Sequence, residues 1–309
     1  MTRRYWPLIL TLASLWGASY LLIKVGVDGG FSPAALMTSR VLLAALVLLG
    51  YLATSIGLVT ALAELRAAWR ACIVLGAINA AVPFWLVAWG LTRIDSGIAA
   101  IAQSTVPLFS VLIGLQFLPH EHVSRLRVAG IALGIAGVAL IAGVAPAGDV
   151  GEVVGTFAVI LASLFYASAG IYGQLRLHGT TSGPVLATGN MLAAGLMLLP
   201  FAIVQHPTSM PTTGALGALV LLAVLPTALA QLILFRIIGL FGARRLSLVT
   251  YLMPGIALFY GAVLLDEQVT VAAIAGLVLI LLGVALGSGT LRPGRRAIQP
   301  PAAEPQGEC

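Results

Sequence analysis

Long apolar runs alternate with short polar breaks along this chain, and each run is about as long as a bilayer crossing. Breaks at charged, glycine and proline clusters leave ten runs, near 6–24, 33–52, 69–91, 97–117, 126–143, 153–173, 182–202, 214–236, 243–264 and 270–288. A helix needs roughly 20 apolar residues to cross the hydrocarbon core. The pattern therefore predicts an all-α integral membrane protein with ten transmembrane helices. Arg3-Arg4 before the first run resembles the start of a signal peptide. The run from Trp6 to Ile23 is long for one and opens a series of spans, so an uncleaved first helix is expected. The polar stretch 289–309 is expected to be a disordered cytoplasmic tail.

Composition agrees. Of 309 residues, 60% are apolar and only 8% are charged, against about a quarter charged in a soluble domain. Too few charges remain to cover a water-facing surface. The net charge of +6 comes from basic residues scattered singly between runs, which fits membrane orientation and not a nucleic-acid face. Two cysteines, Cys72 and Cys309, suggest neither a disulfide framework nor a metal site, and no cofactor is expected.

The arginines orient the ten runs. With a cytoplasmic N-terminus, Arg3, Arg4, Arg66, Arg70, Arg125, Arg127, Arg176, Arg236, Arg244, Arg245, Arg292, Arg295 and Arg296 all fall at cytoplasmic ends. The outer connections hold Asp28, Asp95, Asp149, Glu152, Asp266 and Glu267, with only Lys24 and Arg93 of opposite sign. Short loops obeying the positive-inside rule show this bias, so both termini are expected to be cytoplasmic.

One phrase occurs twice. Glu121-His122-Val123-Ser124 leads to Gly130 and Gly137-Val138, and Glu267-Gln268-Val269-Thr270 leads to Gly276 and Gly283-Val284 at identical spacing. A proline precedes each copy, Pro107 and Pro254. The duplication divides the chain into five-helix halves, 6–143 and 153–288. An odd number of spans per half makes the second half enter the membrane from the opposite side. The halves then form an inverted repeat, the arrangement of secondary transporters that work by alternating access.

These residues resemble the EamA domains of the drug/metabolite transporter superfamily. The resemblance rests on Trp16-Gly17-Ala18-Ser19 and Lys24 in the first run, Arg40 in the second, and the Pro, Glu, Gly, Gly-Val ending of each half. It implies an exporter of small metabolites in the cell inner membrane, most suggestively of aromatic or hydrophobic amino acids. The second half departs from the pattern: Phe165-Tyr166-Ala167-Ser168 stands for Trp16-Gly17-Ala18-Ser19, and Asn190 for Arg40. The site is therefore expected to be asymmetric.

Arg40 is the sharpest candidate, because an ionised residue inside a span marks a cavity or a functional site. It is suited to holding a substrate carboxylate. The competing readings are outward snorkelling, pairing with Asp28 or Asp95, or a structural brace, and the brace is slightly favoured. Trp16, Ser19, Asn79, Trp85, Gln103, Tyr166, Ser168, Asn190, Gln231 and Tyr251 are candidates to line a polar cavity with it. For each of them alone, helix–helix packing is as good a reading. Pro107 and Pro254 are read as paired hinges, whereas Pro83 and Pro226 fit static kinks equally well. Gly130, Gly134 and Gly137 are expected to pack within the chain.

No Asp, Glu or His lies inside a run, so a buried carboxylate relay for protons has no central group. The expectation is a monomeric facilitator acting on a small-molecule substrate in the lipid bilayer. Alternatives are transport of nucleotide sugars, phosphorylated metabolites or drug-like compounds, or a non-transporting assembly subunit. The residue sets for intramembrane proteolysis are absent, so an enzyme is not expected.

Overall fold

The computed structural model describes residues 5–117, 125–142, 150–177, 181–206, 210–241 and 246–287. Glu121, the Arg3-Arg4 pair, Arg244, Arg245 and the tail lie outside them. Every element among the described residues is helical. The helices are α1 (Tyr5–Asp28), α2 (Pro33–Ile56), α3 (Leu58–Ala67), α4 (Trp69–Leu91), α5 (Ser96–Gln103), α6 (Val106–Phe117), α7 (Arg125–Ala142), α8 (Val150–Arg176), α9 (Gly183–Val204), α10 (Thr213–Phe241), α11 (Ser247–Leu264) and α12 (Val271–Gly287).

Seven helical segments of the described residues are long and apolar enough to cross a membrane: α1, α2, α4, the α5–α6 segment, α8, α9 and α10. Three shorter apolar helices, Val128–Ile141, Leu248–Leu264 and Val271–Leu286, coincide with the remaining runs. Local chemistry sets the ends. Ser32 Oγ accepts from Ala35 N at 3.2 Å ahead of Pro33, Thr212 Oγ1 accepts from Ala215 N at 3.2 Å, and Thr270 Oγ1 accepts from Ala273 N at 3.1 Å. Each hydroxyl satisfies a first-turn donor that lacks a helical partner. Gly57, at φ 82°, breaks the chain between α2 and α3 in a backbone region closed to most side chains. The short helix α3 was not expected from the sequence. It buries only Ala61 and leaves Val59 84% exposed, so no broad apolar stripe announces it.

The sides of the bundle are apolar and uncovered, with Leu46, Leu196, Phe201 and Ile203 among the exposed residues. In water such a surface would be costly; against lipid tails it is not. The main core lies between the N- and C-terminal halves of the chain, where α2 packs on α9 and α8 packs on α4, α5 and α6.

The glycines that close the two copies of the repeated phrase meet. Helix α7 packs along α12, and a Cβ on Gly137 would lie 2.8 Å from Gly276 O, while one on Gly283 would lie 2.5 Å from Gly130 O. Glycine is required because any side chain would strike backbone. The pairing is reciprocal and antiparallel: the early glycine of each copy faces the late glycine of the other, as it would across a two-fold axis.

Candidate functional site

Two of the mid-span prolines organise the centre of the molecule. Pro226 lies in the π-helical turn Val224–Leu229 of α10, and Pro83 lies two residues past the π-helical turn Gly76–Ala81 of α4. A proline has no N–H, so the carbonyl four residues earlier loses its partner and the helix widens locally. For Pro226 that carbonyl belongs to Leu222, and the neighbouring Thr227 hydroxyl donates to it at 2.7 Å. The Thr227 oxygen then accepts from Arg40 Nε at 2.8 Å. On the other side, Phe84, which follows Pro83, presents its ring 4.1 Å from the Arg40 guanidinium.

Arg40 therefore sits between the residues that follow the two kinked prolines, one from each half of the chain. It is 5% exposed. Its Nη2 donates to Ser19 Oγ at 3.3 Å and its Nη1 reaches Met37 Sδ at 3.7 Å. All four partners are neutral. Pairing with Asp28 does not occur, because Asp28 is bound 3.6 Å from Lys24 four residues back on the same helix. Nor does Arg40 snorkel. A buried guanidinium is tolerable here because hydroxyl acceptors and an aromatic face replace part of its lost hydration.

The remaining candidates divide by how well their polar atoms are satisfied. Tyr166 on α8 lies with its ring 6.3 Å from Phe84 and its hydroxyl facing Gln103. Ser168 turns inward on its own helix and donates to Leu164 O at 2.8 Å. Trp16 packs between α1 and both neighbouring apolar clusters. Asn79 lies in the π-helical turn of α4, and Gln231 lies half-buried on α10. Among the described residues, buried polar atoms without a partner occur at Trp85 Nε1, Gln103 Oε1, Asn190 Oδ1, Tyr251 OH and Thr38 Oγ1. Tyr251 packs away from the Arg40 cluster, in the group around Ile101 and Ile280.

Pro107 and Pro254 stand in different surroundings. The backbone is interrupted at Ser104–Thr105 just before Pro107, whereas Pro254 lies inside the unbroken helix α11. The carbonyl that Pro107 leaves free is that of Gln103, and Ser163 Oγ on α8 donates to it at 3.4 Å.

At the ends of α4 the two halves meet differently. Where α4 stops, the Glu267 carboxylate caps α5, accepting from Ser96 N at 2.7 Å, Ser96 Oγ at 2.8 Å and Gly97 N at 3.0 Å. Carboxylates are favoured there, since first-turn N–H groups lack helical partners and carry the positive end of the dipole. Beside it, Thr212 N donates to Gly29 O at 2.9 Å and Lys24 Nζ to Leu91 O at 3.1 Å. Asp95, next to this closure, has its carboxyl pushed above the usual range by partial burial and then by the Glu267 charge; Lys24 opposes the shift and Asp28 adds to it. At the opposite end of α4, where the helix begins, a cleft of about 680 Å³ lies between the halves, lined by Arg70, Tyr172 and Arg176 among others.

Phe84, Thr227, Ser163 and the capping role of Glu267 were not anticipated. The first two had a signal, since each immediately follows a mid-span proline. The Glu267 cap had none beyond its repetition.

The model of the EamA-like transporter family matches residues 5–143 and again 153–289. The chain is 27% identical over 287 residues to a protein of Streptantibioticus cattleyicolor named as a probable terminal-alkyne amino-acid exporter, covering 93% of each chain. It is 26% identical to the inner membrane transporter YedA of Escherichia coli K12, itself uncharacterised, covering 92% of this chain and 83% of that one. A solved crystal structure superimposes with a TM-score of 0.66 at 21% identity, over 95% of this chain and 100% of the other, a likeness of fold alone.

Proposed function

The chain belongs to the EamA-like transporter family, and from that membership and the geometry we propose that it exports neutral amino acids by alternating access between two inverted halves. It is a transporter, and its apolar helices place its work in a membrane. The proposed membrane is the cell inner membrane, as for the relative YedA. The three shorter apolar helices are taken to cross it as well, giving ten spans with both termini cytoplasmic, in keeping with the arginine distribution. The reciprocal antiparallel contact of Gly130 and Gly137 with Gly283 and Gly276 supports inversion.

The observation that carries the reading is the unequal joining of the halves at the two ends of α4. Glu267 and Thr212 bind the N-terminal half at one end, and a cleft separates α4 from α8 at the other. This is the form expected of an inward-open, outward-closed state in which the substrate enters through the cleft. Arg40 is read as the brace between the halves, with Pro107 and Pro254 as the hinges. The amino-acid class rests on the named exporter relative and on a centre built from neutral polar and aromatic groups. With no carboxylate at the centre, transport is expected to follow the substrate gradient, in a chain that acts as a monomer.

Purified protein in proteoliposomes tests this. Efflux of preloaded radiolabelled leucine or phenylalanine is expected well above that of empty vesicles, and is expected to persist without pH or sodium gradients. Absence of flux for every neutral amino acid, with sugars or organic cations carried instead, overturns the substrate class. Strict proton dependence overturns the facilitator reading.

A further inference from the structure

The interruption before Pro107 concentrates acceptors at one residue. Because Pro107 has no N–H, the Gln103 carbonyl loses its helical partner, and what replaces it is incomplete. The Ser163 hydroxyl reaches it at only 3.4 Å and is closer to Val159 O, at 3.1 Å. The Gln103 side chain supplies a second acceptor, Oε1, which is buried and has no partner, in a residue only 8% exposed. The other carbonyls at the break are served at close range: Ser104 Oγ donates to Ala100 O at 3.0 Å and Thr105 Oγ1 to Ala102 O at 2.7 Å. An amide that only packs helices together has both of its ends satisfied. Leaving one open in a low-dielectric interior is costly, and a ligand that supplies donors recovers that cost. Helix α5 also ends at Gln103, so the negative end of its dipole falls on the same spot and favours positive charge.

We propose that Gln103, at the Pro107 interruption, is the subsite that receives the primary ammonium group of the transported molecule. The proposal rests on the transport reading and sharpens it, since it says which end of an amino acid is read and by what. Three facts agree with an ammonium. Both groups at the site are acceptors. The Tyr166 hydroxyl faces the same side chain. The buried cation Arg40 is held by Thr227, Ser19, Met37 and the Phe84 ring, so it does not take up the Gln103 acceptors. A neutral amide suits a zwitterion, which brings its own counter-charge, better than it suits a lone cation.

The test compares leucine with its two halves, isoamylamine, which lacks the carboxylate, and 4-methylpentanoate, which lacks the amine. All three compete against labelled leucine in proteoliposomes containing wild-type protein, Gln103→Leu or Gln103→Glu. In the wild type, leucine and isoamylamine are expected to compete and 4-methylpentanoate is not. In Gln103→Leu, apparent affinity for both amines should fall by about tenfold or more, the scale of one hydrogen bond to a charged group. In Gln103→Glu, the preference should move toward isoamylamine. Unchanged affinities and order in a folded Gln103→Leu protein overturn the proposal. If no amino acid is transported, thermal stabilisation of the detergent-solubilised protein by isoamylamine keeps the subsite testable. Stabilisation of wild type but not of Gln103→Leu supports the subsite while the functional reading fails; equal or no stabilisation of both removes the subsite too.

Discussion

At the scale of single residues, Thr227 and Arg40 carry the most consequence. One hydroxyl repairs the carbonyl freed by Pro226 and also accepts from a buried guanidinium. Thr227→Val keeps the shape and removes both interactions, leaving Leu222 O and Arg40 Nε unpaired. Two unsatisfied buried groups, one of them charged, cost about 2–4 kcal/mol together. The expected outcome is a clear fall in melting temperature in detergent, whereas Thr227→Ser stays near wild type because the hydroxyl remains. Equal melting temperatures for both variants would remove the brace. Arg40 was legible in the sequence because a charge inside an apolar run stands out. Ser19 stands among the residues the sequence offers beside it, and Phe84 and Thr227 are marked only by the prolines before them; that all three close on Arg40 is settled when the fold brings distant helices against α2.

At the scale of elements, Glu267 holds α5 from the opposite half of the chain. Glu267→Ala removes three hydrogen bonds at that closure and should populate a state open at that end. Leu258→Cys, at the leucine that packs on Gly97 beneath the cap, reports this in a Cys72→Ala, Cys309→Ala background. Labelling by an impermeant maleimide is expected to quicken several-fold in Glu267→Ala; an unchanged rate would show that the cap does not gate. Asp95 adds a pH dependence. Its carboxyl is raised in the closed arrangement, so that arrangement holds the proton more tightly than one with Asp95 free in water. Closure is therefore favoured as pH falls through the raised value and is weakened as pH rises through it. Asp95 faces Glu267, Asp28 and Lys24. Once corrected for the thiolate fraction, which itself rises with pH, labelling between the ordinary aspartate range and neutrality should quicken with pH in wild type and lose that residual slope in Asp95→Asn. The repeated glutamate was visible in the sequence, but a cap joins residues 171 positions apart, and no local pattern encodes that partnership.

At the scale of the whole molecule, the halves touch most tightly where glycines leave no side chain between backbones. Gly137→Val would drive a branched side chain into Gly276 O and Ile280, so loss of folded protein is expected, read as aggregation on size-exclusion chromatography. Gly217→Val, at a position with open space around it, should fold normally. What the sequence alone determined is the medium and the plan: apolar length dictates helices in a bilayer, because backbone groups find no other partners there, and a phrase written twice dictates related halves. The short helix α3, the two π-helical turns, the Glu267 cap and the partners of Arg40 were decided only by the tertiary structure. The reason is physical. Hydropathy reports how each segment meets the solvent, summed over many residues. A hydrogen bond across the bundle depends on where a few atoms arrive, and that is fixed only when helices from both halves pack.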